Sequence, residues 1–125
     1  RKPMPYIVGA PTPSRLAMDN GLVQSGIKTT SATGANNLVS LTAADYQSVD
    51  YQIQVIRGSN YNSALIKVIH DGTNTYMTEY GNVNQPSAGI ATFSTDVNSG
   101  DLRLLAYPDA ATATTFKFIY SAIKS

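Results

Sequence analysis

The residues able to do chemistry are few, and their spacing suits it poorly. His70 is the only histidine, and the chain has no cysteine. Multi-histidine and thiolate metal sites are excluded, as are disulfides. His70 stands before Asp71-Gly72 at the expected end of a strand. A Ser-His-Asp arrangement would want a marked nucleophile, and no G-x-S-x-G run occurs. His70 therefore reads as a turn-flanking residue that hydrogen-bonds the loop. Glu79 falls inside an expected strand, but glycosidase chemistry needs two carboxylates on facing walls. Nothing marks Asp71 or Asp96 as its mate. Glu79 is expected to pair across strands with Lys67, a contact worth at most about 1 kcal/mol when exposed. Asp71, Asp101 and Asp109 fall in turns, where Asp is favoured for backbone reasons. Asn60 with Asn62, or Asn98 with Asp101, are too sparse for a calcium loop. The glycines are scattered in turns and build no phosphate loop. No catalytic, cofactor-binding or metal-binding residue is assigned.

Tyrosines remain. Tyr46, Tyr61 and Tyr107 lie in or beside expected loops, where exposed rings stack on sugars or on another protein. Tyr61 and Tyr107 are the candidate glycan platforms.

The elements that must position these residues are strands. At 125 residues the chain fits one domain. Charged residues make up only 14% and apolar ones 42%, with Ser, Thr, Asn and Gly filling the difference. That composition suits short strands and many turns. A net charge of +1 gives no electrostatic case for nucleic acid or an anionic membrane. No apolar run approaches the ~20 residues that cross a bilayer as a helix. The first residue is Arg rather than Met, as expected of a segment of a longer protein or, alternatively, of a processed N-terminus.

Residues 1–36 read as an extended Pro-rich arm and linker, and residues 37–125 as the folded domain. Pro3, Pro5, Pro11 and Pro13 bias the start towards extended backbone. Tyr6-Ile7-Val8 is its docking element. Ser14–Asn20 is expected to make one helical turn, with Ser14 as N-cap and Gly21 beyond its end. Thr29–Asn36 is a linker by composition.

From Asn37 onward, turn signals recur at short intervals. Leu38–Leu41 is a short strand. Val49–Arg57 alternates, with Tyr51, Ile53 and Val55 on one face. Gly58–Asn62 is a loop. In Ala64–His70 the inward residues are Ile66 and Val68, which leaves Leu65 and Ile69 pointing outward with Lys67. Two apolar groups on that face suggest that it is covered too. Asp71–Asn74 is a hairpin turn with Gly72 supplying positive φ. Further strands are Thr75–Tyr80, Ile90–Val97, Leu102–Tyr107 and Thr114–Ile123.

The run from Ile66 to Gly81, containing Lys67, His70-Asp71-Gly72-Thr73, Tyr76, Thr78, Glu79, Tyr80 and Gly81, resembles a pattern in virion structural proteins of tailed bacteriophages. It is similar above all to T4-like phages of cyanobacteria and other marine bacteria. Gly100-Asp101-Leu102-Arg103-Leu104, Pro108 and Lys117–Ile123 fit the same pattern. The resemblance covers residues 49–123 and leaves the arm unmatched. It implies a β-sandwich module of a fibre, baseplate or capsid surface, located in the virion, and it implies no catalytic residue.

Together these readings predict an all-β protein, a jelly-roll-like antiparallel β-sandwich of about seven to eight strands. The expected role is non-enzymatic and structural. Partners would be other virion proteins and copies of the same chain, a trimer being favoured. Tyr6, Ile7, Val8, Leu65 and Ile69 are the expected partner-binding residues. The alternative is a receptor-recognition module that binds a host surface glycan.

Overall fold

Period-two burial organises the fold. In a computed structural model, which describes residues 15–85 and 89–125, Val49, Tyr51, Ile53 and Val55 are buried while Asp50, Gln52 and Gln54 are exposed. The same alternation puts Phe116, Phe118, Tyr120 and Ala122 inside, with Lys117, Ile119, Ser121 and Ile123 outside. Successive side chains of a strand point to opposite faces, so each strand gives one set to the core.

The described residues form nine strands and no helix: β1 (Arg15–Ala17), β2 (Gly21–Thr30), β3 (Asn36–Thr42), β4 (Tyr46–Arg57), β5 (Asn60–His70), β6 (Thr75–Gln85), β7 (Ala91–Asn98), β8 (Asp101–Pro108) and β9 (Thr114–Lys124). They make a six-stranded sheet, β1-β2-β9-β4-β5-β6, and a three-stranded sheet, β3-β8-β7. Every pairing is antiparallel. The core lies between the sheets. Leu22, Val49, Tyr51, Ile53, Val55, Ile66, Val68 and Phe116 come from the larger one, against Leu41, Leu102, Leu104 and Ala106 of the smaller.

The all-β sandwich expected from the sequence is the observed architecture. Its start differs. Arg15–Ala17, expected within a helical turn, is strand β1, and Met18–Asn20 turns the chain into β2. The Met18 amide closes that turn on the Gly21 carbonyl at 2.8 Å. A β1–β2 hairpin places Leu22 in the core at no exposure, which an isolated helical turn would not do. The segment read as arm and linker therefore contributes β2, paired over its full length with β9. Only residues 31–35 link it to β3. Tyr6, Ile7 and Val8 lie outside the described residues.

Positive φ shapes the chain at one turn and one bulge. Ser99 and Gly100 have φ of 52° and 82°, the double positive φ of a two-residue hairpin loop between β7 and β8. Gly81 (φ 63°) opens a bulge in β6, where two residues stand between the partners of Ser63 and Leu65. Without that extra residue Val83 would face the core side. With it, Tyr80 and Val83 share the outer face.

The buried polar groups are mostly satisfied. The Asn36 amide donates to Ala32 O, Gly34 O and Ala106 O, tying the 31–35 loop to β8. Arg57 donates to Thr114 Oγ1 at 2.9 Å, to Ile90 O at 3.3 Å and to the Asp109 carboxylate, closing one end of the sandwich. Thr75 Oγ1 donates to Thr95 O at 3.0 Å, stitching β6 to β7. The exception is the Tyr51 hydroxyl, buried with no partner among the described residues.

Candidate binding face

The strongest chemical candidate in the sequence resolves as structure. His70 is buried, and its Nδ1 accepts the Gly72 amide at 2.9 Å. The ring hydrogen is thereby placed on Nε2, which donates to Tyr46 O at 2.6 Å. Both ring nitrogens are committed to backbone, so no face of the imidazole is offered to a substrate. Asp71 Oδ1 accepts the amides of Thr73 and Asn74, and Oδ2 accepts the Tyr76 hydroxyl at 2.9 Å. These bonds, that from Asn74 foremost, hold the Asp71 carboxyl down at about 2. This is the hydrogen bonding of an Asx turn between β5 and β6.

Glu79 does not meet Lys67. Lys67 stands opposite Asp50 in the β4–β5 ladder and donates to its Oδ1 at 2.9 Å. Glu79 is paired in register with Ile66, so it points to the opposite face, and its carboxylate accepts from Asn82 at 2.8 Å. Among the described residues no three His, Asp or Glu side chains gather as metal ligands.

What the fold does assemble is a surface. Residues paired across a ladder share a face, so the rows of the large sheet can be read directly. One row of outward residues runs Gly21, Ile123, Ser48, Ile69, Tyr76. Another runs Ser25, Ile119, Gln52, Leu65, Tyr80. A third runs Ile27, Lys117, Gln54, Ser63, Val83. Among the described residues, ten large apolar side chains are exposed: Leu16, Met18, Ile27, Tyr61, Ile69, Tyr76, Tyr80, Val83, Ile119 and Ile123. All but Met18, which sits in the β1–β2 turn, lie on this one face. Single exposed apolar residues are ordinary, but a contiguous set marks an interaction surface.

The face has a pattern. Its central strand β4 presents Ser48, Asp50, Gln52 and Gln54, a polar column. Apolar groups flank it on both sides, Ile119 and Ile123 of β9 on one and Leu65 and Ile69 of β5 on the other. A shallow groove of about 530 Å³ crosses β2, β9 and β4, lined by Ile27, Gln52, Gln54, Ser63, Lys117 and Ile119. Among the described residues the face carries Asp50, Lys67 and Lys117, the first two neutralising each other, with Asp71 at its margin beside Tyr76.

Of the residues singled out from sequence, Leu65 and Ile69 point outward together, as their alternation implied. Tyr61 joins them on β5, 51% exposed. Tyr107 does not. It lies on the outer side of β8 in the small sheet, its hydroxyl 2.9 Å from Ser94 Oγ. Tyr61 and Tyr107 are thus on opposite sides of the sandwich and cannot form one platform. Tyr46 is half-buried and packs on the core. Sequence reasoning missed Ile27, Tyr76, Tyr80 and Val83 as members of the face. On β2 the usual signal is inverted, with Gln24, Gly26 and Lys28 on the core side and Val23 and Ile27 outward.

No protein-family model and no curated protein matches the chain. Solved structures do. The tailspike protein gp49 of Acinetobacter baumannii bacteriophage Fri1, a capsular polysaccharide depolymerase, aligns with 88% of this chain at 14% identity and a TM-score of 0.53. The tailspike protein of Acinetobacter phage vB_ApiP_P1 aligns with 96% of it at 18% identity and a TM-score of 0.40. The chain spans 19% of the first tailspike and 24% of the second. At 14% identity the Fri1 likeness is one of fold: this β-sandwich recurs as a piece of a much longer tailspike chain.

Proposed function

We propose that this chain is a non-enzymatic structural module of a tailed-phage virion, belonging to its tail or fibre, that docks on neighbouring subunits. The single observation carrying this reading is the outer face of the six-stranded sheet, which gathers nine of the ten exposed large apolar side chains among the described residues. A surface of that kind is built to be covered by protein. The shared fold with a piece of a phage tailspike supports the tail setting, and the hairpin run from Ile66 to Gly81 supports the virion setting more broadly. The kind of phage rests on that run alone. Tyr6, Ile7 and Val8 of the N-terminal segment are proposed to dock on a neighbour.

Antibody raised against the chain tests the setting. It is expected to label the tails of virions that carry the protein; capsid-only labelling or no labelling would overturn the proposal. Incubation with capsular polysaccharide tests the non-enzymatic role. The chain alone is expected to leave polymer length unchanged, and depolymerisation would contradict it.

A second reading has its own observation. Tyr61, Tyr76 and Tyr80 are three exposed rings on the β5–β6 side of the same face, a layout able to stack on a glycan. Loss of binding on a glycan array with Tyr80→Ala would favour it over protein docking.

A further inference from the structure

We infer that the outer face of the six-stranded sheet is where copies of this chain associate with one another, which rests on the docking role proposed above and deepens it by naming the occupant of that face.

Four observations select the occupant. The first is chemistry. Six of the nine exposed groups are aliphatic: Leu16, Ile27, Ile69, Val83, Ile119 and Ile123. Aliphatic side chains fill pockets between proteins, whereas sugars need ring faces to stack on. The second is charge. With Asp50 and Lys67 joined at 2.9 Å, the formal charges left among the described residues are Lys117 on the face and Asp71 at its margin, where its carboxylate accepts the Tyr76 hydroxyl. The face holds no cationic cluster for a polyanion, and it does not repel a copy of itself.

The third is area. Five of the six strands have ten to twelve residues and β1 only three; at about 4.8 Å per strand and about 3.3 Å per residue, the five long strands give a face of roughly 24 by 33 Å, or ~800 Å². A standard stable interface buries about 800 Å² per partner, so one copy's face matches what another copy must offer. The fourth is composition across the face. In the rows of Ser48 and Gln52 the polar column of β4 lies between apolar groups, so each copy carries apolar surface on both sides of these two residues, with Gln54 beside them. The amides of Gln52 and Gln54 can donate and accept, and find partners in their own kind. The dominant class of soluble assembly is a closed symmetric homo-oligomer.

Sedimentation equilibrium of the full 125-residue chain across the micromolar range is the test. It is run on the parent and on Ile119→Asp, Ile69→Asp and Thr92→Asp. Ile119 and Ile69 are exposed within the single chain, so their variants are expected to keep the parent's far-UV spectrum and melting cooperativity. The parent is expected to be a discrete oligomer at the upper end. A buried charge on the face is expected to weaken self-association at least ~10-fold, the effect of about 1.4 kcal/mol. Thr92→Asp, on the outer side of the small sheet, is expected to associate like the parent. A parent that stays monomeric throughout would overturn the inference, because the face would then serve a different partner or the chain's own residues 1–14. Association that survives both face variants, or is lost equally in Thr92→Asp, would overturn it as well. None of these results bears on virion labelling, so the inference and the tail assignment fail separately.

Discussion

Tyr51→Phe should stabilise the protein, although it deletes a polar group from one of the most buried side chains in the molecule. Tyr51 is 1% exposed, and its hydroxyl has no hydrogen-bond partner among the described residues. Burial, with Tyr120 5.6 Å away between ring centroids, pushes the phenol well above its ordinary value. That shift reports the unfavourable environment for charge. The relevant term at neutral pH is the lost hydration of the neutral hydroxyl, which costs about 1–3 kcal/mol when nothing replaces it. Phenylalanine removes the cost and keeps the ring. The gap left by one oxygen, about 10 Å³, returns only ~0.2 kcal/mol at about 24 cal/mol per Å³. The net expectation is a gain of about 1 kcal/mol, which raises Tm by roughly 3–5 °C in a domain of this size. In urea the midpoint should rise by about 0.5 M at an m-value of about 2 kcal/mol per M. Equilibrium unfolding by fluorescence or circular dichroism reads both. A Tyr51→Phe variant less stable than the parent would refute the reasoning, since it would mean that the hydroxyl finds a partner in the core.

Two further substitutions probe the backbone and the turn. A Cβ at Gly26 would lie 2.5 Å from Cε1 of the buried Phe118, so Gly26→Ala should cost about 1–3 kcal/mol through overpacking, seen as a lower urea midpoint. Asp71→Asn should change the acid limb of stability. Because the folded-state carboxyl is held at about 2, its contribution is full above the unfolded value and is lost as pH falls towards 2. Between about pH 4 and 2 the parent is expected to take up nearly one more proton on unfolding than Asp71→Asn, so its melting temperature should fall more steeply with acid. Parallel curves would contradict this.

The sandwich was legible where the amphipathic pattern was clean. In β4 every core-facing position from Val49 to Val55 is apolar and the intervening Asp50, Gln52 and Gln54 are polar, so period two named the buried set. The Asp71–Asn74 and Asn98–Asp101 turns were legible from Asp, Asn and Gly at positions that need their backbone preferences. The start was not legible. Leu22 is the one large apolar residue that β2 sends into the core; Gln24, Gly26 and Lys28 share its side, and the strand is identified by ten residues of ladder with β9. Local sequence does not encode a partner about ninety residues away. Gly81 misled for a related reason: glycine in a strand suggested its end, but here it opens a bulge and β6 continues to Gln85. The Lys67–Glu79 pairing failed by one position of register, because Lys67 meets Thr78 on β6 and finds its carboxylate on β4 instead. The binding face followed from these same misses. Leu65 and Ile69 announced it, and the remaining members became visible only once β2 and the far half of β6 were in the sheet.

Other copies of the chain are expected to cover this face. Thiol labelling tests this directly, because the chain has no cysteine to interfere. Ile119→Cys places a single thiol in the middle of the face and Ser40→Cys places one on the exposed side of β3. With a polar maleimide, the Ile119→Cys variant is expected to react as fast as Ser40→Cys in dilute solution and to become protected as concentration rises, while Ser40→Cys stays reactive. Equal reactivity of the two at every concentration would contradict the account, and so would protection of Ile119→Cys that is unchanged by dilution to the monomer.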